Sequence, residues 1–186
     1  MRRLFVTLAL ILSCGAASAD EYHGFHIDDA AAALAPEART SLTAQLDIVE
    51  AAGLPATVLA VMKQTPIVVD PALRGNPGIF AVRSPGGAVY VQPVVFDADK
   101  PILLHELLHA YQFRVLGLDR PEIVQAFRQV KGANLFSPRF QSSHFLENGK
   151  EFFEPPFSCA ALGKLPPDYL AFLAAQFGPH SCRTAG

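Results

Sequence analysis

Apolar residues recur at helical spacing in four segments of the chain, namely 36–52, 55–63, 100–116 and 121–131. The first and last begin with proline, which is favoured in the opening turn of a helix. Gly53 follows the first segment directly and is predicted to stop it. The pattern therefore predicts four helices.

The polar residues that flank the later helices predict where those helices begin and end. Asp99 and Asp119 each stand two residues before a proline, so each is predicted to cap the helix that follows. Gly117 and Gly132 are predicted to end those two helices, because glycine adopts the left-handed conformation common after a last helical turn.

Three short runs rich in β-branched and aromatic residues, at 66–69, 79–82 and 88–91, predict strands. The sequence Ser-Pro-Gly-Gly at 84–87 predicts a hairpin between the second and third runs. Pro93 follows the third run, and because proline cannot donate to a ladder, that strand is predicted to lie near a sheet edge. An edge strand can pair with an extended peptide.

Strands that precede a group of helices predict an α+β fold, with a small twisted β-sheet whose edge strand packs on the third helix. Residues 20–29 are polar and aromatic, and we expect a mobile terminus with two surface histidines, His23 and His26, in preference to a second metal site. Residues 134–143 have no period and are predicted to form a loop.

The third helix contains the sequence His-Glu-Leu-Leu-His at 105–109, a HExxH motif. His105 and His109 are four residues apart, so their side chains are separated by only about 40° around the helix and can reach one ion. Glu106 lies beside them and can move a proton without binding the metal. Zinc accepts imidazole nitrogen and keeps an open position when three protein groups bind it. The motif therefore predicts a catalytic zinc site.

A third ligand must come from elsewhere in the chain. A histidine six residues beyond His109 is one arrangement, but valine occupies that position. The stretch 144–157 offers three carboxylates, Glu147, Glu151 and Glu154. Their spacing leaves the choice among them open.

With its HExxH motif and the sequence Glu-Phe-Phe about forty residues later, the chain resembles gluzincin metallopeptidases, in particular the anthrax lethal factor-like group. The resemblance implies a zincin-like fold in which His105, His109 and Glu151 bind zinc and Glu106 is the general base. Related enzymes place a tyrosine or histidine beside the oxyanion. His144 is the candidate for this role, with an ordinary surface histidine as the alternative.

The first residues of the chain predict export. A basic start, an apolar run and the sequence Ala-Ser-Ala at 17–19 indicate a signal peptide over 1–19, with the metallopeptidase domain over 20–186. The apolar run is too short for a permanent membrane span. We expect a periplasmic or secreted protein, with lipid attachment at Cys14 as the less favoured alternative. Cys159 and Cys182 would remain after cleavage and are predicted to form a disulfide.

Composition narrows the range of partners. The net charge is −2, so no basic surplus indicates nucleic-acid binding. The function predicted from the sequence is that of an exported zinc metallopeptidase that hydrolyses peptide or protein substrates with a metal-activated water. The alternative is a secreted, non-catalytic binding protein built on a zincin scaffold.

Overall fold

The computed structural model describes residues 20–134, 136, 146–153 and 163–178, which form a five-stranded mixed sheet and five α-helices. The strands are β1 (Asp20–Tyr22), β2 (Phe25–Asp28), β3 (Ile67–Val69), β4 (Gly78–Ala81) and β5 (Ala88–Val91). The helices are α1 (Pro36–Ala51), α2 (Ala56–Lys63), α3 (Ile102–Tyr111), α4 (Pro121–Ala133) and α5 (Pro167–Phe177). The predicted α+β class is confirmed, and α5 is an additional helix that the sequence analysis did not identify.

The sheet has the strand order β1-β2-β3-β5-β4. The three central strands are parallel, and the outer strands pair antiparallel with their neighbours. The hairpin of β4 and β5 was predicted. The strand 88–91 lies near an edge as predicted, but it is not the edge strand itself, because β5 lies between β3 and β4. Pro93 falls after the last ladder contact, in which Gln92 N–H donates to the carbonyl of Pro77 at 2.9 Å. The edge strand on this side is therefore β4.

The segment 20–29 is part of the sheet, so the prediction of a mobile terminus was wrong. Residues 25–28 alternate between buried and exposed, and Phe25 and Ile27 are fully enclosed in the core. This short alternation is the signature of a strand with one buried face. Polar residues outnumber apolar residues in the segment 20–29, so the sequence analysis did not recognise the alternation of a strand.

Helix α3 lies at the centre of the molecule, where it contacts α1, α2, β4 and β5. Its four leucines (Leu103, Leu104, Leu107 and Leu108) are all buried in the main hydrophobic core. Burial of one such side chain contributes about 1.5–3 kcal/mol to stability. The leucines that fill the variable positions of the motif thus anchor the helix that carries the two histidines.

Three predicted helix boundaries were wrong. The residue that precedes α3 is Pro101 rather than Asp99, and the side-chain oxygen of Gln45 accepts a hydrogen bond from the buried Leu103 N–H at 3.3 Å. The residue that precedes α4 is Arg120 rather than Asp119. Helix α4 also continues through Gly132 and ends at left-handed Asn134 (φ +53°). Gln45 lies on the distant helix α1, and Asn134 takes the left-handed conformation more often adopted by glycine. Local sequence rules predicted neither feature.

Candidate metal centre

Helix α3 presents both histidines of the motif to one point in space. The Nε2 atoms of His105 and His109 are 3.2 Å apart, and their rings are perpendicular (88°). This arrangement follows from the helical spacing of four residues, which stacks the two side chains one turn apart on the same face. Both rings are partly buried, so the surrounding protein restricts their rotation.

Glu151 completes a group of three possible metal ligands with the two histidines. Its Oε2 atom lies 3.2 Å from Nε2 of His109 and 3.6 Å from Nε2 of His105. Two ligands at about 2.05 Å from a tetrahedral zinc ion are separated by about 3.3 Å. The separations of the three donor atoms therefore match those expected around one tetrahedral metal ion, and among the described residues no other His, Cys, Asp or Glu joins this group.

The segment around Glu151 is fixed by aromatic packing. Glu151 begins a short 3₁₀ helix (Glu151–Phe153) in which Phe152 and Phe153 are fully buried. The Phe152 ring stacks on Tyr169 of α5 at 5.1 Å, and the Tyr169 hydroxyl donates to the Phe152 carbonyl at 3.2 Å. Before this turn, the side-chain oxygen of Asn148 accepts the Glu151 N–H at 3.2 Å. The Glu-Phe-Phe sequence thus joins one acidic side chain at the site to two aromatic anchors in the core.

Glu106 is held against the edge strand. Its side chain is almost completely buried, and Oε2 accepts a hydrogen bond from the backbone N–H of Phe80 in β4 at 2.6 Å. The other oxygen, Oε1, lies 3.5 Å from Nε2 of His105. The carboxylate is therefore anchored through one oxygen while the other faces the group of metal ligands.

Close packing between α3 and β4 makes this contact achievable. A Cβ atom at Gly78 would lie 2.9 Å from Cγ2 of Ile102 and 3.6 Å from Cγ of Glu106. Real Cβ atoms essentially never approach another heavy atom more closely than 3.0 Å, so a side chain at this position would require Ile102 or the strand to shift. Glycine at this position therefore allows the edge strand to approach the motif helix closely enough for Phe80 to reach Glu106.

A π-helical turn (Gln112–Leu116) follows α3 and connects it to the hairpin. Arg114 donates from its guanidinium group to the carbonyls of Gly86 (2.8 Å), Gly87 (3.2 Å) and Gln64 (3.2 Å). Burial lowers the pKa of Arg114 from its usual value. Through these hydrogen bonds, Arg114 holds the β4–β5 turn against the end of the motif helix.

A cavity of about 290 Å³ opens at the group of ligands. Five of its eleven lining residues are apolar, and the polar members other than the motif and Glu151 are Asn76 and Lys150. The apolar lining consists of Ile79, Phe80, Val82, Phe113 and Leu118. Ile79 (38% exposed) and Val82 (55%) are accessible from solvent, so one wall of the cavity is an exposed apolar edge.

Of the three carboxylates suggested by the sequence, the structure places Glu151 in the group with His105 and His109. Glu147 is exposed and is not a member of that group. Glu154 and the proposed oxyanion residue His144 lie outside the described residues. The same holds for the signal peptide and for Cys14, Cys159 and Cys182.

Two further histidines lie in the first hairpin, His23 in the turn between β1 and β2 and His26 on β2. His23 lies 3.4 Å from Asp47, and neither it nor His26 belongs to a metal-compatible group among the described residues. The sequence did not predict the hydrogen bond from the Phe80 N–H to Glu106 or the hydrogen bonds from Arg114 to the carbonyls of three distant residues. Neither left a signal in the sequence, because one donor is a backbone group and the acceptors of the other are carbonyls in distant segments.

Comparisons with protein-family models, with curated proteins and with solved structures produced no match for this chain. Among the residues described by the structure, no helix has both the length and the apolar character needed to cross a bilayer. The assignment of function therefore depends on the geometry of the site itself.

Proposed function

We propose that this protein is an exported, zinc-dependent peptidase with a zincin-like fold. The observation that carries the proposal is the separation of three donor atoms on two distant segments by 3.2, 3.2 and 3.6 Å, which suits a single tetrahedral zinc ion. Two imidazoles and one carboxylate form a ligand set typical of catalytic zinc, whereas structural zinc sites favour thiolates and close all four positions.

Zinc bound by these three residues would supply a Lewis acid and lower the pKa of a coordinated water. Glu106 is the residue that handles protons: Oε1 accepts one from the attacking water and returns it to the leaving amine. The Phe80 N–H orients this carboxylate through Oε2. The buried position of Glu106 limits competition from bulk water for the same hydrogen bonds.

The edge strand provides a surface for the substrate. In the β4–β5 pairing, the carbonyl of Pro77 faces β5, and the Phe80 N–H points the other way, toward Glu106. The unpaired side of β4 thus borders the cavity, and an extended peptide placed there would cross the ligand group. The apolar side chains of Ile79 and Val82 favour a substrate with an apolar residue beside the cleaved bond.

Metal analysis combined with turnover tests this assignment. Replacement of His105, His109 or Glu151 by alanine should remove most of the zinc from the purified protein. Glu106→Gln should retain about one zinc per chain and lose catalysis by about 10²–10⁴-fold, the contribution of a positioned general base. Glu147→Ala is the matched control, because it removes an exposed carboxylate from the same segment and should keep both zinc and activity.

Two outcomes would contradict parts of the proposal. Equal zinc loss in Glu106→Gln and in the three ligand variants would make Glu106 a structural residue and leave the peptidase without a base. A wild-type protein that binds zinc but cleaves nothing in an unbiased peptide pool would support the alternative, a secreted binding protein on this scaffold.

Treatment with a chelator followed by added zinc should abolish and then restore cleavage.

Export is part of the same proposal and depends on the sequence of residues 1–19. A short basic start, an apolar run and a small-residue cleavage signal support removal of this segment before Asp20. The mature protein would then act in the periplasm or outside the cell, where a pair of cysteines is expected to be oxidised.

A further inference from the structure

Two further depressions continue from the cavity at the metal centre along helix α4. Leu118 and Lys150 line the first cavity and also a second of about 460 Å³. Asp119, Val124 and Arg128 line this second cavity together with a third of about 610 Å³. Because neighbouring depressions share wall residues, they adjoin one another, and we call the three together the α4 groove.

One face of α4 forms the distal part of the α4 groove. The lining residues of the third depression recur at positions i, i+3, i+4, i+7 and i+8 of the helix: Pro121, Val124, Gln125, Arg128 and Gln129. The opposite face contains Ile123, Ala126 and Val130 and is buried in the core. Eight residues of helix span about 12 Å. An extended peptide rises about 3.4 Å per residue, so the groove has room for about four residues beyond the metal centre.

The charge of the α4 groove differs from that of the whole chain. The chain has a net charge of −2, yet the groove beyond the metal centre contains two cations, Lys150 and Arg128, and one acid, Asp119. Both cations are exposed, and neither forms an ion pair with another residue in the part of the chain that the structure describes. Their charges are therefore available to a ligand that lies in the groove.

We propose that the α4 groove binds the part of a polypeptide substrate that flanks the cleaved bond and selects acidic side chains there. An apolar residue would occupy the cavity beside Ile79 and Val82, and an aspartate or glutamate three to five residues away would meet Lys150 and Arg128. The inference rests on the proposed peptidase function and adds a substrate class to it: extended polypeptides with an apolar residue followed or preceded by acidic residues.

Two fluorogenic peptide pools test this preference with the zinc-loaded mature protein. The pools share one apolar residue at the centre and differ only in whether aspartate and glutamate or lysine and arginine occupy positions three to five residues away. An exposed ion pair contributes about 0.2–1 kcal/mol, which is about 1.4- to fivefold, so two pairs predict about a two- to thirtyfold higher kcat/KM for the acidic pool at low ionic strength. About 0.5 M salt should remove most of this difference.

Charge reversal identifies the residues responsible. Arg128→Glu and Lys150→Glu should each reduce the preference, and the double variant should favour the basic pool. Lys100→Glu is the matched control: it makes the same change in net charge at an exposed lysine that lines none of the three depressions. It should leave the preference unchanged. Zinc content and circular dichroism would verify that each variant is folded and loaded with metal.

The possible results separate this inference from the proposed function. Cleavage of both pools at equal rates, or a preference that survives both reversals, would overturn the assignment of the α4 groove and leave the peptidase intact. Absence of cleavage would count against the peptidase. In that case, fluorescence anisotropy with the Glu106→Gln variant still tests whether the α4 groove selects acidic peptides. Tighter binding of an acidic peptide than of a basic one would support this selection, and equal binding would refute it.

Discussion

The hydrogen bond between Phe80 and Glu106 predicts that one backbone N–H controls the efficiency of the general base. Phe80→Pro removes this donor without removing a rung of the sheet, because the Phe80 N–H points away from β5. Proline is tolerated on an edge strand when the lost N–H faces away from its partner. The substitution therefore acts on Glu106 with little effect on the pairing of β4.

The magnitude follows from the environment of the carboxylate. Glu106 is only 6% exposed, and the bond is short at 2.6 Å. A hydrogen bond to a charged group contributes about 1.5–3 kcal/mol. If the N–H holds Glu106 in the orientation needed for proton transfer, its loss should lower kcat by about 10- to 100-fold. KM should change much less, because the proposed role concerns proton transfer and not substrate affinity.

Phe80→Ala is the control for the loss of the aromatic ring, which lines the cavity and contacts Phe113 at 5.7 Å between ring centroids. Both variants lack the ring, but only the proline variant lacks the N–H. We would measure kcat and KM on one peptide, zinc content and melting temperature for both proteins. The expected result is equal zinc content, similar melting temperatures and a lower kcat for proline than for alanine.

Equal kcat values in two variants that bind zinc equally would refute the reasoning, since the N–H would then make no contribution to the base. Zinc loss in Phe80→Pro alone would show a different role, in which the edge strand supports the ligand group rather than Glu106. A much lower melting temperature for the proline variant would indicate that β4 does not tolerate the substitution as its edge position predicts.

Four further predictions concern the Phe152 ring, the buried amide of Gln112, the start of the exported chain and the pair Cys159 and Cys182. Phe152→Ala should destabilise the protein by about 3–5 kcal/mol in denaturant melts and weaken zinc binding, because it removes a fully buried ring next to the third ligand; unchanged zinc affinity would separate the anchor from the ligand. Gln112→Met should raise stability by about 1–3 kcal/mol, because the buried amide has no hydrogen-bond partner among the described residues; a lower melting temperature would show that the amide is bonded in the native protein. Mass spectrometry of the exported protein should find Asp20 as its first residue, and a lipid-modified cysteine at the terminus would contradict this. Non-reducing peptide mapping should join Cys159 to Cys182, whereas two alkylatable thiols in the native protein would exclude the bond.

The local part of the site could be predicted from the sequence because it depends on one helix. Residues four apart on a helix share a face whatever the rest of the fold does, so His105 and His109 converge by helical geometry alone. The adjacent hairpin was equally predictable, since its turn residues and strand patterns are local signals. The resemblance to gluzincins also indicated Glu151, on the basis of the Glu-Phe-Phe sequence.

Spacing along the chain could not choose among Glu147, Glu151 and Glu154, because the distance from the motif to each acid depends on how the intervening segment packs. In the structure, Phe152 packs against α5, and this contact places Glu151 near the histidines while Glu147 stays exposed. Helix α5 carries the same signals as α1, a proline in its first turn and Gly178 after its last residue, but the sequence analysis did not identify it. Aromatic packing between segments that are remote in sequence therefore determines which carboxylate lies beside the two histidines.

The position of the edge strand likewise depends partly on local sequence and partly on tertiary packing. Local rules placed β5 near an edge because a proline follows it, but the order of strands depends on which pairings bury the most apolar surface. Pairing with β3 on one side and β4 on the other encloses β5 and leaves β4 beside the motif helix. The sequence by itself determined which residues can bind a metal and move a proton. Only the tertiary structure decided which acid lies beside the two histidines and which backbone N–H binds Glu106, because both depend on contacts between segments far apart in the chain.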